Sequence, residues 1–242
     1  MLSATESDGS RIFCTATELS SCGREVSVST VCRVTDWRGW HDDYEDPASE
    51  LSHRLRSVQR LIRECADEHP PGELRLLSMC AGQAHDVIGA LREHDRGDDV
   101  VGLLVELDAA NVAAARAGLR HAGLVGLHVA AADGGVTTPY RSATPADLIL
   151  ACGVFGNIPN SDVRRTVAAL PMFSAPGATV IWTRHRREPD LTGDIQEWFS
   201  AAGFQEVAFV SPGPGRFSVG AHRLLGAPQP YLPDLPLFTF VA

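Results

Sequence analysis

The chain is predicted to be an α/β protein, a mostly parallel sheet covered on both faces by helices, and three observations predict it. From Leu74 onward, apolar strand-like runs alternate with amphipathic helical segments, the pattern of a sheet buried on both sides. The run LRLLSMCAGQAHD, Leu74 to Asp86, carries an apolar strand through the small residues Cys80, Ala81 and Gly82 into a helix, so the backbone can turn tightly and approach a ligand. The run VVGLLVELD, Val100 to Asp108, ends its strand on Glu106, 24 residues after Gly82, where the strand-end acid of a nucleoside-binding crevice hydrogen-bonds ribose hydroxyls.

Residues 1–33 are rich in Ser and Thr, show little periodicity and hold half of the cysteines, which predicts a poorly ordered leader. Residues 34–72 are expected to form an N-terminal helical cap and residues 73–242 the ligand-binding domain. Within the cap, Asp46-Pro47 offers a helix start. Leu51, Leu55, Val58, Ile62 and Cys65 then fall on one helical face before Pro70-Pro71-Gly72. Strands are predicted at 74–78, 100–106, 125–130, 147–152, 178–183, 205–210 and 217–224. Helices are predicted near 86–94, 108–121, 160–173 and 191–202, with Asp108, Asn160 or Ser161, and Thr192 as caps and Gly123 and Gly203 as stops. The loop SPGPGR is too short for a crossover helix, so the last two strands should pair as an antiparallel hairpin.

Composition narrows the functional classes. The chain has 242 residues and a net charge of −9, enough length for one packed α/β domain. That charge argues against a nucleic-acid or anionic-membrane partner, since phosphate binding needs a surplus of basic side chains. Every basic residue is Arg and none is Lys, which excludes Schiff-base chemistry and a Walker-type phosphate lysine. The six cysteines include no CxxC pair and the nine histidines no HExxH, so no metal site is expected. No apolar run of about 18 residues and no signal peptide is found, which predicts reduced thiols and a cytoplasmic protein.

From Leu74 to Leu224 the sequence resembles the class I S-adenosylmethionine-dependent methyltransferases, through four separated segments in the family's order. The resemblance implies a three-layer Rossmann-like fold with a seven-stranded sheet, strand order 3-2-1-4-5-7-6 and an antiparallel last strand, and S-adenosylmethionine as cofactor. LLSMCAGQAHD looks like the first motif, with Ser78 at the polar strand-end position and Gly82 as the central glycine. Cys80 and Ala84 stand where the first and third glycines are usual. Both are small, and a dinucleotide pyrophosphate would tolerate them less. By the same resemblance Glu106 would bind the ribose, Leu107 lie along the adenine, Asp133 accept from the adenine amino group and Gly134 offer its backbone amide. Asp133-Gly134 also reads as an ordinary turn. LILACGVFGNIP resembles the fourth motif, with a backbone carbonyl near Cys152 or Gly153 meeting the cofactor ammonium and Asn157 facing the methyl group, or else forming a turn before the next helix. Asp86 belongs to the first motif, and His85 would flank the cofactor carboxylate or simply begin a helix. The resemblance excludes the adenine-N6, protein-arginine and metal-dependent catechol types, and leaves metal-independent O- or N-methylation of a small molecule.

The acceptor side rests on two clusters. WRGWHDDY, residues 37–44, could place Trp40, His41 and Tyr44 over the pocket, with Trp37 as an anchor to the sheet. WTRHRR, residues 182–187, follows the fifth strand of the sheet and could present His185 and Arg184 to an anionic acceptor such as a carboxylate, unless Glu188 and Asp190 neutralise a surface charge run. His41, Tyr44, Asn157 and His185 are therefore the catalytic candidates, with Trp40 and Arg184 on the substrate. The closing LFTF, residues 237–240, is a packed tail, a shield for the sheet edge or a homodimer contact. Two alternatives stay open: an S-adenosylmethionine-binding protein that does not methylate, and a nicotinamide-dependent oxidoreductase, for which the missing G-x-G-x-x-G counts against.

Overall fold

The computed structural model describes residues 3–6, 12–19, 25–32, 49–213 and 216–241, in two compact units, 1–45 with Ala242 and Asp46–Val241. The first unit holds strands β1 (Ser3–Glu6), β2 (Ile12–Leu19) and β3 (Glu25–Cys32) in one antiparallel sheet. Composition predicts no strand in this segment. The alternation of valine with serine and threonine in EVSVSTVC is the period-two signal that the Ser/Thr content obscures.

The second unit carries α1 (Glu50–Glu68), β4 (Leu74–Ser78), α2 (His85–Leu91), β5 (Val100–Glu106), α3 (Ala109–His121), β6 (Leu127–Ala131), β7 (Ala146–Ala151), α4 (Asn160–Ala169), β8 (Ser174–His185), α5 (Thr192–Ala201), β9 (Phe204–Val210) and β10 (Phe217–Leu224). The sheet order is β6-β5-β4-β7-β8-β10-β9. Counted within this sheet that is 3-2-1-4-5-7-6, and β10 runs antiparallel to both β8 and β9. The predicted hairpin and reversed last strand are both present.

Alternate residues of the central strands feed two cores. Leu76, Leu104, Leu148 and Leu150 join α1, α2 and α3 on one face, while Leu77, Val105, Ile149 and Ala151 join α4 and α5 on the other. Burial on both faces explains why these strands read as continuous apolar runs. The α1 helix belongs to the first of these layers: it is capped by Ser49, which accepts from the Ser52 amide, and its Val58, Leu61, Ile62 and Ala66 are buried. Asp46-Pro47 lies outside the described residues.

The caps and boundaries follow local chemistry. Asp108 caps α3, accepting from the amides of Ala110 and Asn111, and Gly123 and Gly203 end their helices at φ +74° and +88°. Thr192 does not cap α5 but is its first residue, and Asp190 Oδ1 accepts both its amide and its hydroxyl. Neither Asn160 nor Ser161 caps α4, which Pro159 precedes with no side-chain cap. α4 ends at Ala169, and β8 starts at Ser174, four residues earlier than predicted. β8 also runs on to His185, so WTRH is strand and not the loop after it.

After β10 the chain returns across the sheet. Pro236 forms an isolated bridge with Val136, and Leu237 and Phe238 are buried in the α4–α5 core. The LFTF segment is thus a packed tail on its own chain. Among the described residues no helix is long and apolar enough to cross a membrane.

Candidate functional site

The carboxyl ends of β4, β5, β6 and β7 converge on one edge of the sheet. Beyond β4 the ladder continues briefly, with the Met79 amide donating to Leu150 O at 2.8 Å and the Ala81 amide to Val105 O at 2.9 Å. The backbone then takes three left-handed residues at alternate positions, Cys80 at φ +52°, Gly82 at φ +56° and Ala84 at φ +62°. These are the three positions of the expected glycine turn. Two of them hold side chains, so the turn persists at a backbone cost of about 1–2 kcal/mol for each.

A comparison of two alanines tests this. Ala84→Gly is expected to be nearly neutral in stability, since relief at positive φ offsets the lost methyl burial and the freer unfolded chain. Ala90→Gly, at a buried position within α2, should cost about 2 kcal/mol from helix propensity and burial together. Equal losses in urea unfolding would show that Ala84 is unstrained.

Glu106 braces that turn. Its Oε2 accepts from the Gly82 amide and its Oε1 from the amides of Leu107 and Asp108, each at 2.8 Å. A carboxylate has about four acceptor positions, so one remains for a hydroxyl. Leu107, next to it, is 69% exposed, an apolar side chain standing at the strand end where the sequence expects an adenine. Across the edge, Asp133 is exposed and takes the Gly135 amide on Oδ1 at 2.7 Å. Gly134 is buried. A Cβ there would meet Tyr140 Oη at 2.7 Å and Cys80 Sγ at 2.8 Å, so this loop lies tight against the first turn. Burial pushes the Cys80 thiol up, and the charges of Glu106 and Asp133 add to it, so the thiol stays neutral.

The other half of the edge is built by the segment after β7. Gly153 is left-handed at φ +78°, its amide donates to Thr183 Oγ1 at 2.8 Å, and its carbonyl accepts from Asn157 Nδ2 at 2.6 Å. Asn157 therefore folds this loop on itself, the turn role that the sequence left open beside the methyl-facing one. Burial raises Cys152, with Asp86 adding and Arg54 opposing. Burial also raises Asp86, whose Oδ1 accepts the Val87 amide. Ser78 is buried at the end of β4, and His85 is exposed at the start of α2.

Arg54 is a neighbour of this edge that the sequence does not single out. Gln59 Nε2 donates to His85 O at 2.9 Å and Arg63 Nη2 to Gly89 O at 2.7 Å, so α1 runs parallel to α2. Arg54 lies on the second turn of α1, and its charge acts on Asp86 and Cys152. In sequence, Arg54 is one of four arginines along α1 and nothing singles it out.

WTRHRR does not converge. Strand alternation sends Trp182 and Arg184 to one face and Thr183 to the other, and Arg186 pairs with Asp190 at 2.8 Å, as the neutralising alternative requires. The Arg184 guanidinium is buried; it donates to Phe155 O and, at 3.3 Å, to Asn160 Oδ1. Its Nε has no partner among the described residues. His185 is half-buried, and its ring lies 3.4 Å from where a Cβ on Gly156 would stand. Burial lowers its pKa below 6.5, with Arg184 and Arg187 adding to the effect. Trp37, Trp40, His41 and Tyr44 lie outside the described residues.

The sequence matches no protein-family model and no curated protein. Solved structures do match the fold. Magnesium protoporphyrin IX methyltransferase from Synechocystis, with S-adenosylmethionine bound, superposes with a TM-score of 0.61 at 11% identity, over 78% of this chain and 91% of that one. Precorrin-6y C5,15-methyltransferase from Geobacter metallireducens gives 0.51 at 13% identity, over 69% and 87%. An O-methyltransferase family protein from Burkholderia thailandensis gives 0.50 at 13%, over 78% and 63%. What is shared at these identities is the fold: this chain has the fold of the class I S-adenosylmethionine-dependent methyltransferases.

Proposed function

We propose that the chain is a class I methyltransferase that uses S-adenosylmethionine to methylate a small molecule by metal-independent in-line displacement. The observation that carries this reading is the left-handed backbone at Cys80, Gly82 and Ala84, braced by Glu106. With only one of the three glycines, the chain keeps a left-handed backbone at all three positions, which suits the family's cofactor turn, and the remaining acceptor position on Glu106 suits a ribose hydroxyl. Asp133 and Gly134 suit the adenine, and the Cys152–Gly153 backbone with Arg54 suits the methionine end.

The cofactor supplies an activated methyl group when bound, so these residues mainly hold the acceptor in line and exclude water. His185 is neutral at pH 7 and can take a proton from a hydroxyl or ammonium acceptor. The Arg187 amide lies 3.4 Å from His185 Nδ1, a long contact that favours the proton on Nε2, and a weak one to exchange for the other tautomer. The guanidinium of Arg184 is tied to Phe155 O and Asn160 Oδ1, and its charge, felt at His185, favours an acceptor that carries a carboxylate.

Calorimetric titration with S-adenosylhomocysteine and, separately, with NAD tests the cofactor. Selective micromolar binding of the first is expected; binding of NAD alone, or of neither, overturns the proposal. In a screen of small carboxylates and phenols, His185→Ala should lower turnover with cofactor affinity retained. Because the His185 pKa lies below 6.5, wild-type kcat/KM should hold at neutral pH and fall only as acid protonates the ring. Equal loss of cofactor binding in the variant would make His185 a folding residue.

A further inference from the structure

The C-terminal tail touches both halves of the candidate site. On the adenine side, Leu237 N donates to Gly135 O at 2.7 Å and Phe238 N to the same oxygen at 3.3 Å. Thr137 is held by the tail from both ends, its amide on Leu235 O at 3.0 Å and its hydroxyl on Leu232 O at 2.8 Å. On the methyl side, Val241 N donates to Asn157 O at 2.9 Å, and Asn157 shapes the loop after β7. Between these, Thr239 N donates to Asp162 Oδ2 at 3.1 Å, and Leu237 is buried as the anchor.

Gly135 shows how close the approach is. A Cβ at this position would stand 2.4 Å from Phe238 O, so the second glycine of AAADGG is required by the tail, as the first is by Cys80 and Tyr140. The Gly135 amide is in turn what Asp133 Oδ1 accepts. Tail, Gly135 and Asp133 form one chain of hydrogen bonds, at whose end lies the acid assigned to the adenine.

We propose that residues 231–241 are a positioning strap, which holds the Asp133–Gly135 loop in its cofactor-binding form and ties it to the loop at Asn157. This rests on the methyltransferase reading. If the strap fixes the binding form of that loop, tail docking and cofactor binding stabilise each other, because coupling between two equilibria is reciprocal. A docked tail raises cofactor affinity, and a bound cofactor protects the tail. A tail that only covers core surface would keep the same protection with or without cofactor.

The intact chain gives the first test, by amide hydrogen exchange with and without saturating S-adenosylhomocysteine. Slower exchange at Leu237, Phe238, Thr239 and Val241 on saturation, together with residues 134–137, is expected. Unchanged exchange in the tail of a chain that binds the ligand overturns the strap and leaves the methyltransferase reading standing. Absence of ligand binding overturns that reading itself. The second test is Leu237→Asp, which places a carboxylate at the buried anchor. A folded variant, judged by circular dichroism, should bind S-adenosylhomocysteine at least tenfold more weakly, and unchanged affinity with a released tail would overturn the strap. If that variant does not fold, Thr239→Pro, at an exposed position, removes the donor to Asp162 and restricts the backbone at 238–239, and it should show the same direction of change in affinity.

Discussion

Glu106→Ala is expected to weaken S-adenosylhomocysteine binding by about 1.5–3 kcal/mol, the range for hydrogen bonds to a charged group. Two losses contribute. The ribose would lose its acceptor, and the turn at 80–84 would lose its brace, since the carboxylate holds the amides of Gly82, Leu107 and Asp108. Glu106→Gln separates charge from shape. All three protein partners of the carboxylate are donors, so the glutamine NH₂ must face at least one N–H whichever way the amide is turned. The isosteric variant should therefore bind nearly as poorly as alanine. A glutamine variant with wild-type affinity in calorimetry would move the ribose site away from Glu106.

The position of Glu106 at the end of β5 is legible because its signal is local. A strand end, a small-residue turn and an acid 24 positions on are visible in one sequence, and so are the alternating elements and the short final hairpin that give the sheet its order. Cys80 and Ala84 were readable only as small residues, since the left-handed backbone they adopt is imposed by the strand ends on either side. WTRHRR reads as a loop because it is a charge run, whereas β8 extends through His185 and pairing with β10 fixes which side chains face the core. Residues 237–240 show where local pattern stops. Their alternation says packed or edge, but their partners at Gly135, Asn157 and Asp162 lie about a hundred or fewer positions back and leave no periodic trace. Arg54 is hidden for the same reason, as its neighbours Asp86 and Cys152 come from other elements.

Acid should destabilise the fold through His222, with a fall of about 3 kcal/mol between pH 6.5 and pH 4. This histidine is 1% exposed in β10. It accepts the Trp182 indole N–H on Nδ1 at 3.1 Å and stacks on Phe199 with centroids 4.3 Å apart. The accepting Nδ1 puts the proton on Nε2, which has no hydrogen-bond partner among the described residues. Burial lowers its pKa from 6.5 to about 4. Glu206 Oε2 lies 3.9 Å from Nε2, beyond hydrogen-bonding distance and on a side chain open to water, so its pull on an imidazolium is smaller than the lost hydration. The sign follows from which state takes the proton. Below pH 6.5 the unfolded chain protonates this histidine and the folded chain does not, so stability present above pH 6.5 is lost as pH falls and levels off below about 4. His222→Asn keeps an acceptor near Nδ1 for Trp182 and removes the titration. Urea unfolding at pH 7 and pH 4.5 should show a wild-type loss that the variant lacks, and equal losses in both would assign the acid sensitivity to other groups.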